Sequence, residues 1–162
     1  MNKNAKENKN MSNLRTQISN DMKQAMKDKD AEKLGTIRLI NAALKDKDIE
    51  IRVAGTGEVT DGDVLTVMQK MLKQREESSK TYRENDRPEL ADKEDREIAI
   101  INHYMPKQIE GAELETIVVA AIKESGAESQ KDMGKVMGIL KSKYAGQINM
   151  GVVGGIVKDK LN

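Results

Sequence analysis

The chain has 162 residues, the size of one ordinary domain or two very small ones. It contains no Phe, Trp or Cys, three Tyr, one His, 34% charged residues and a formal net charge of +1. This excludes a disulfide framework, a cysteine zinc site, a thiol nucleophile, a multi-histidine metal centre and a global basic field for nucleic acid.

No apolar run approaches the roughly 20 residues of a membrane span, so no membrane partner is expected. The lack of cysteine fits a reducing compartment, and the expected location is cytoplasmic. A composition rich in Lys, Glu, Ala and Met, with two Pro, favours helix throughout. Ten Met and no Phe point to a core of flexible unbranched side chains with Ile, Leu and Val.

Residues 1–10, MNKNAKENKN, are polar and without apolar period, and read as a disordered tail. They carry no signal-peptide core, and with Glu7 and no Arg they fit a transit peptide poorly. Ser12 is a suitable N-cap for a first helix, whose stripe is Leu14, Ile18, Met22 and Met26 with Ala25 beside it. After a charged corner, Leu34, Ile37, Ile40, Ala43 and Leu44 mark a second helix. Ile49, Ile51 and Val53 alternate as in a short strand. With no second strand to pair with, the segment reads as helix fraying into the Gly55–Gly57 loop.

Thr60 and Asp63 form a capping-box pattern ahead of Val64, Leu65, Met68, Met71 and Leu72, a third helix reaching about Arg83. Pro88 suits the first turn of a fourth, with Leu90, Ala91, Ile98 and Ile101. The segment Tyr104-Met105-Pro106-Lys107 is the best internal boundary. Beyond it come three shorter helical signals. The first holds Leu114, Ile117, Val118, Ala121 and Ile122 and stops at Gly126. The second runs over 130–145, with Ser129 and Asp132 as a further capping-box pattern and Met133, Val136, Met137, Leu140 and Tyr144 as its apolar set. The third follows Asn149 with Val152, Val153, Ile156, Val157 and Leu161. None is long enough to stand alone in water. The expected architecture is all-α: a four-helix N-terminal domain over 11–105 and a small three-helix C-terminal domain over 106–162.

Three blocks then carry a family resemblance: IRLINAALKDKDIE, MLKQREESSKTYRENDRPELADKEDREIAIINHYMPKQI and KDMGKVMGILKSKYAG. The chain resembles a stand-alone member of the GatB/YqeY family over essentially Met11 to the C-terminus. The third block is similar to the tail domain of the B subunit of tRNA-dependent amidotransferases. The resemblance implies an all-helical protein, an association with carbon–nitrogen ligation using glutamine as amido donor, and a tail that contacts tRNA. One departure is the closing helix MGVVGGIVKDKLN. Gly151, Gly154 and Gly155 each cost a helix interior about 0.5–1 kcal/mol relative to Ala, so it is expected to be loose or to start late.

Autonomous catalysis is not legible. Ser78-Ser79-Lys80 is similar to the Ser-Ser-Lys apparatus of amidase-type subunits. That chemistry needs a buried lysine and a held serine, whereas here the three lie consecutively in a polar helix and read as surface. There is no Walker A pattern, and Asp61-Gly62-Asp63 reads as a helix start. The run Asp92-Lys93-Glu94-Asp95-Arg96-Glu97 reads as a solvated face with i,i+4 pairs. His103 stands alone at a helix end. No catalytic residue, metal ligand or cofactor is assigned.

The helix over 130–145 is the most informative element. At about 100° per residue, Lys131, Gly134, Lys135, Gly138, Lys141 and Ser142 fall opposite its apolar arc. Two glycines on a lysine face let a phosphate backbone approach closely. Lys143, Lys158 and Lys160 add charge, so that 129–162 holds six Lys against Asp132 and Asp159, a local net of +4. Lysines neutralise phosphate without reading bases. With little aromatic surface for stacking, a structured RNA fits better than a single strand. Lys70, Lys73, Gln74, Arg75, Lys80 and Arg83 mark a second surface, where Glu76, Glu77 and Glu84 interleave and a protein face or solvated helix suits better.

The leading expectation is an accessory protein that binds tRNA through Lys131, Gly134, Lys135, Gly138, Lys141, Lys143, Lys158 and Lys160, beside an amidotransferase or aminoacyl-tRNA synthetase partner. The alternatives are an interaction adaptor working through the four-helix domain without RNA, and a free-standing amidotransferase.

Overall fold

The structure is a computed structural model and describes residues 13–162. The expected tail at 1–10 and the Ser12 cap lie outside the described residues. These hold seven α-helices and no strand: α1 (Asn13–Lys27), α2 (Ala31–Ala54), α3 (Asp61–Glu84), α4 (Pro88–Asn102), α5 (Gly111–Ser125), α6 (Met133–Lys143) and α7 (Met150–Lys160). A single 3-10 turn, Gln130–Asp132, leads into α6. The fold is all-α. It divides into two compact units, one ending at Met105 and one running from Pro106 to Asn162.

In the first unit, α1–α4 enclose a core in which Ile18, Ile37, Ile40, Leu44, Val64, Met68 and Ile101 are fully buried. In α1 the four-residue spacing from Leu14 to Met26 advances about 40° beyond a full turn at each step. The stripe therefore drifts off the core face. Ala25 is buried instead and Met26 is 54% exposed. The start of α2 is capped by Asp30, whose carboxylate accepts the Lys33 N–H at 3.1 Å. The helix then runs unbroken to Ala54 and closes on Gly55 in the left-handed region at φ 66°. It does not fray before that point, and the alternation at Ile49, Ile51 and Val53 is helical.

The Thr60–Asp63 capping box is formed in both directions, with Asp63 N–H to Thr60 Oγ1 at 3.2 Å and Thr60 N–H to Asp63 Oδ2 at 2.9 Å. Asp61 also accepts the Leu14 N–H at 3.2 Å, so the start of α3 satisfies an orphan donor of α1.

The charged run of α4 departs from the sequence reading. Its residues form no ion pairs among themselves and instead bridge to other helices. Arg83 of α3 reaches Asp92 and Asp95, Arg75 of α3 holds Glu97, and Arg96 holds Glu32 of α2. The reason is proximity: α3 and α4 share the most extensive helix pairing in the unit, which brings cations of one helix opposite carboxylates of the other. Arg75 and Glu97 are each only 14% exposed at 2.9 Å, so Arg75 is not part of an open second surface. At the end of the unit Tyr104 is buried. Its hydroxyl donates to Asp21 Oδ2 at 2.6 Å, and burial, then that hydrogen bond, push its pKa well above the usual phenol value.

The second unit has its own core of Leu114, Val118, Ala121, Val136, Leu140, Ile148, Val153, Val157 and Leu161. Gly126 ends α5 at φ 69°. The Ser129–Asp132 capping box is only half formed. Ser129 makes no side-chain cap bond, while the Asp132 carboxylate accepts the Ser129 N–H and, at 3.0 Å, the Glu128 N–H. The α-helix therefore begins at Met133, after the 3-10 turn, and ends at Lys143. The segment after Pro106 is tied to the corner before α7. Gln108 Nε2 donates to the Gly146 carbonyl at 2.6 Å and Ile109 N–H to the Gln147 carbonyl at 2.7 Å. Despite its three glycines α7 starts directly at Met150, because the Asn149 side chain accepts from Gly151 N–H and Val152 N–H.

Candidate nucleic-acid interface

The core of the second unit fixes which side of α6 meets solvent. Val136 and Leu140 are fully buried, and Met133, Met137, Ile139 and Tyr144 pack around them. The opposite side, with Lys131, Gly134, Lys135, Gly138, Lys141 and Ser142, is exposed. A methyl group added at Gly134 or Gly138 would meet no heavy atom within 4 Å. Close helix packing therefore does not explain these two glycines. Gly154 of α7 is different: a Cβ there would lie 3.7 Å from Met133 Cε and 3.9 Å from Met137 Cε. That glycine sits at the α6–α7 crossing.

The eight residues do not form one tight cluster. Gln130 Nε2 donates to Asn162 Oδ1 at 2.5 Å. Lys131 and Lys160, close to these two in the chain, therefore lie at the same end of the unit. Lys143 is at the other end of α6, about 16 Å along the helix from its start. It is paired with Glu124 of α5 at 2.7 Å, a hydrogen bond that raises its pKa. Lys135 lies 3.9 Å from Asp132. The Asp132 carboxyl is held below the usual range first by the Glu128 N–H, so it stays charged beside Lys135. Lys131, Lys141, Lys158 and Lys160 have no salt bridge among the described residues. Lys141, Lys143, Lys158 and Lys160 occupy last turns, where positive charge complements the helix dipole. These four lysines thus have a role in folding as well. Gly138 has none, since glycine weakens a helix interior, and Gly134, in the first turn, makes no close packing contact either.

The serine pair in α3 also differs from its sequence reading. Ser79 is 7% exposed, not a surface residue, and its hydroxyl donates to Asp95 Oδ1 at 2.6 Å. The Ser79 bond, followed by Arg83, holds the Asp95 carboxyl below its ordinary range. The bond anchors α3 to α4. Lys80 is exposed and pairs with Glu84 at 3.9 Å. A cleft of about 390 Å³ lies where α2 ends and α3 begins, lined by Lys47, Glu50, Ile51 and Asp63 among others. Its polar groups answer each other, with Lys47 on Glu50 and Asp63 in the capping box. Among the described residues no group of three His, Cys, Asp or Glu is placed to hold a metal ion.

Sequence reasoning missed the long-range partners Asp21, Asp48, Glu32 and Glu97. Nothing local marks them, because each partner lies 22 to 83 residues away in the chain.

A family model described as Yqey-like protein matches residues 15–161. The chain is similar to Altered inheritance of mitochondria protein 41, mitochondrial, of Vanderwaltozyma polyspora, at 34% identity over 88 residues, 54% of this chain and 46% of that protein. The protein of the same name from Candida glabrata is 35% identical over 89 residues, 54% of this chain and 47% of that one. That of Saccharomyces cerevisiae is 29% identical over 126 residues, 75% and 66% of the two. The matches thus span about half the length of the first two relatives. These relatives are named as mitochondrial, which overturns the expectation of a cytoplasmic protein. Absent cysteines gave that expectation little footing, because thiol content does not separate one reducing compartment from another.

Proposed function

The chain belongs to the Yqey-like protein family, and from that membership we propose that it is a helical accessory protein that binds structured RNA, tRNA above all, through α6 and α7. The observation that carries this reading is the bare, exposed helix surface at Gly134 and Gly138, flanked by Lys131, Lys135 and Lys141. Glycine there costs helix stability and gains nothing in packing. What it provides is room for a phosphate backbone to lie against the helix between ammonium groups. The resemblance of 131–146 to an amidotransferase tail supports a role beside tRNA-dependent amidation, with other subunits supplying the glutaminase and kinase chemistry. The relatives' mitochondrial designation makes organellar tRNA a source to include.

The test is a titration of tRNA against the full chain over a salt series, with double-stranded DNA as control. Binding is expected to weaken steeply with salt and to favour tRNA. The Lys135→Glu/Lys141→Glu double variant should lose it. Gly134→Ala and Gly138→Ala should weaken it while making the helix more stable, a combination that a purely structural role does not produce. Failure of the wild-type chain to bind at low salt, or wild-type affinity in the double lysine variant, overturns the reading.

A further inference from the structure

The inner face of α2 is committed to the core through Ile37, Ile40 and Leu44. Its outer face is not the polar surface that a helix of a small bundle ordinarily shows. Gly35, Leu39, Ala42, Asp46, Ile49 and Val53 are all exposed. They follow one another at spacings of four, three, four, three and four residues, the repeat of a helix that meets a second helix along one seam. Leu39 is 46%, Ile49 57% and Val53 84% exposed, so three of the seven large exposed apolar side chains among the described residues fall on this one stripe. Apolar side chains scattered singly over a surface need no explanation, whereas an aligned row marks an interaction site.

The charges beside the stripe identify the occupant. Arg38, Lys45 and Arg52 recur every seven residues along one edge. All three are exposed and have no salt bridge among the described residues. Four other arginines of the unit, Arg15, Arg75, Arg83 and Arg96, are each paired with a carboxylate, whereas on this edge only Arg52 feels one, lowering the Asp48 pKa without a salt bridge to it. A second copy of the chain does not fit. Antiparallel, the basic edges would face each other. Parallel, Asp46 would meet Asp46 in the middle of an apolar seam, a like-charge contact in a desolvated place.

We propose that the outer face of α2 is the docking surface for one amphipathic helix of a partner protein, apolar along its seam and acidic along the edge that meets Arg38, Lys45 and Arg52. Asp46 fixes the register, because the partner must place a Lys or Arg opposite it, the role a single polar seam residue plays in helix pairs. This surface is independent of the RNA reading, since it shares no residue with α6 or α7.

The probe is a labelled synthetic peptide with a Leu/Ile seam, one central Lys and Glu along the flanking edge, titrated against the full chain by fluorescence anisotropy. A twin peptide with Lys in place of the flanking Glu is the control. The acidic peptide should bind at least about tenfold more tightly than the basic one. Val53→Glu, at a side chain exposed enough to leave folding untouched, should weaken binding by a similar factor. Arg38→Glu/Lys45→Glu/Arg52→Glu should invert the preference towards the basic peptide. Three outcomes overturn the proposal: equal affinity for both peptides, displacement of the acidic peptide by tRNA, or a dimer in sedimentation equilibrium that Val53→Glu dissolves. The last two would show an RNA surface or a self-contact.

Discussion

The two units use charge in opposite ways. In the N-terminal unit arginines are spent between helices: Arg15 grips Asp48 with two hydrogen bonds at 2.7 and 2.6 Å, Arg75 holds Glu97, Arg83 spans Asp92 and Asp95, and Arg96 reaches Glu32. In the C-terminal unit the cations are lysines, and six of its eight stand without a salt bridge among the described residues. Arginine suits the first task because its planar fork pairs with carboxylates in fixed geometry. Lysine suits the second because it presents a mobile point charge to phosphate. A net charge near zero thus conceals two electrostatic designs: arginine bridges between helices in the first unit, beside the open basic edge of α2, and lysines turned outward in the second.

The largest expected effect breaks the C-terminal unit through its core. Leu140 is fully buried, and Leu140→Ala should cost about 2–5 kcal/mol, a large fraction of what a small helical unit possesses. Hydrogen exchange with mass spectrometry should show loss of protection across 111–161 while α2 and α3 stay protected. Loss of protection in both units together would show that their cores are not energetically separate.

Next in size is the bridge between α3 and α4. Arg75→Ala leaves Glu97 partly buried and unpaired and should cost about 1–2 kcal/mol in chemical denaturation. The exposed Lys143–Glu124 pair is the counterpart in the other unit, and Lys143→Ala, which removes that pair and a charge in the last turn of α6, should cost no more than about 0.5 kcal/mol. Similar losses from both would erase the contrast.

Smaller, and of opposite sign, is the effect of filling the bare face of α6. Gly138→Ala should stabilise the chain by about 0.5–1 kcal/mol and Gly134→Ala, in the first turn of α6, by less, because a methyl at either position meets open space. Thermal unfolding followed by circular dichroism reads this directly, and destabilisation would reveal a packing role that the structure does not contain.

The smallest effect is a pH dependence centred on the Arg15–Asp48 bridge of the N-terminal unit. The hydrogen bonds from Arg15 are the largest cause of the lowered Asp48 pKa. A carboxyl lowered on folding contributes stability that is present above its unfolded pKa and lost as the pH falls through its folded value. Acidification below the ordinary value of 3.8 should therefore weaken the wild-type chain more than Asp48→Asn, which at neutral pH should cost at most about 1 kcal/mol. Superimposable acid unfolding curves would mean that the bridge contributes nothing measurable.

Much of the helical frame was legible because its signals are local. The Thr60–Asp63 box, the Asn149 cap and the left-handed glycines at 55 and 126 act over a few residues, and the structure forms each of them. Ser129 and Asp132 show the limit of such reading. The same letters at the same spacing gave half a box, because the chain enters α6 through a 3-10 turn. In the candidate interface, the exposure of Gly134, Gly138 and their lysines followed from helical projection. The ion pair that occupies Lys143 did not, because Glu124 lies on another helix.

Local pattern in the chain sufficed for its helical character, for most helix ends and for the inward side of most helices, since these follow from contacts three or four residues apart; the start of α6 and the drift of α1 that leaves Met26 in solvent did not follow from it. Which charges are consumed in pairs and which remain available was settled by packing between helices. Ser79 looked like surface until Asp95 was placed 2.6 Å from it, and Arg75 looked like a docking cation until Glu97 met it. Val53, in the last turn of α2, was legible as helix, but that no other element covers its side chain, 84% exposed, was not. In each case the deciding neighbour belongs to another helix or to none, and chain separation hides such neighbours from any local pattern.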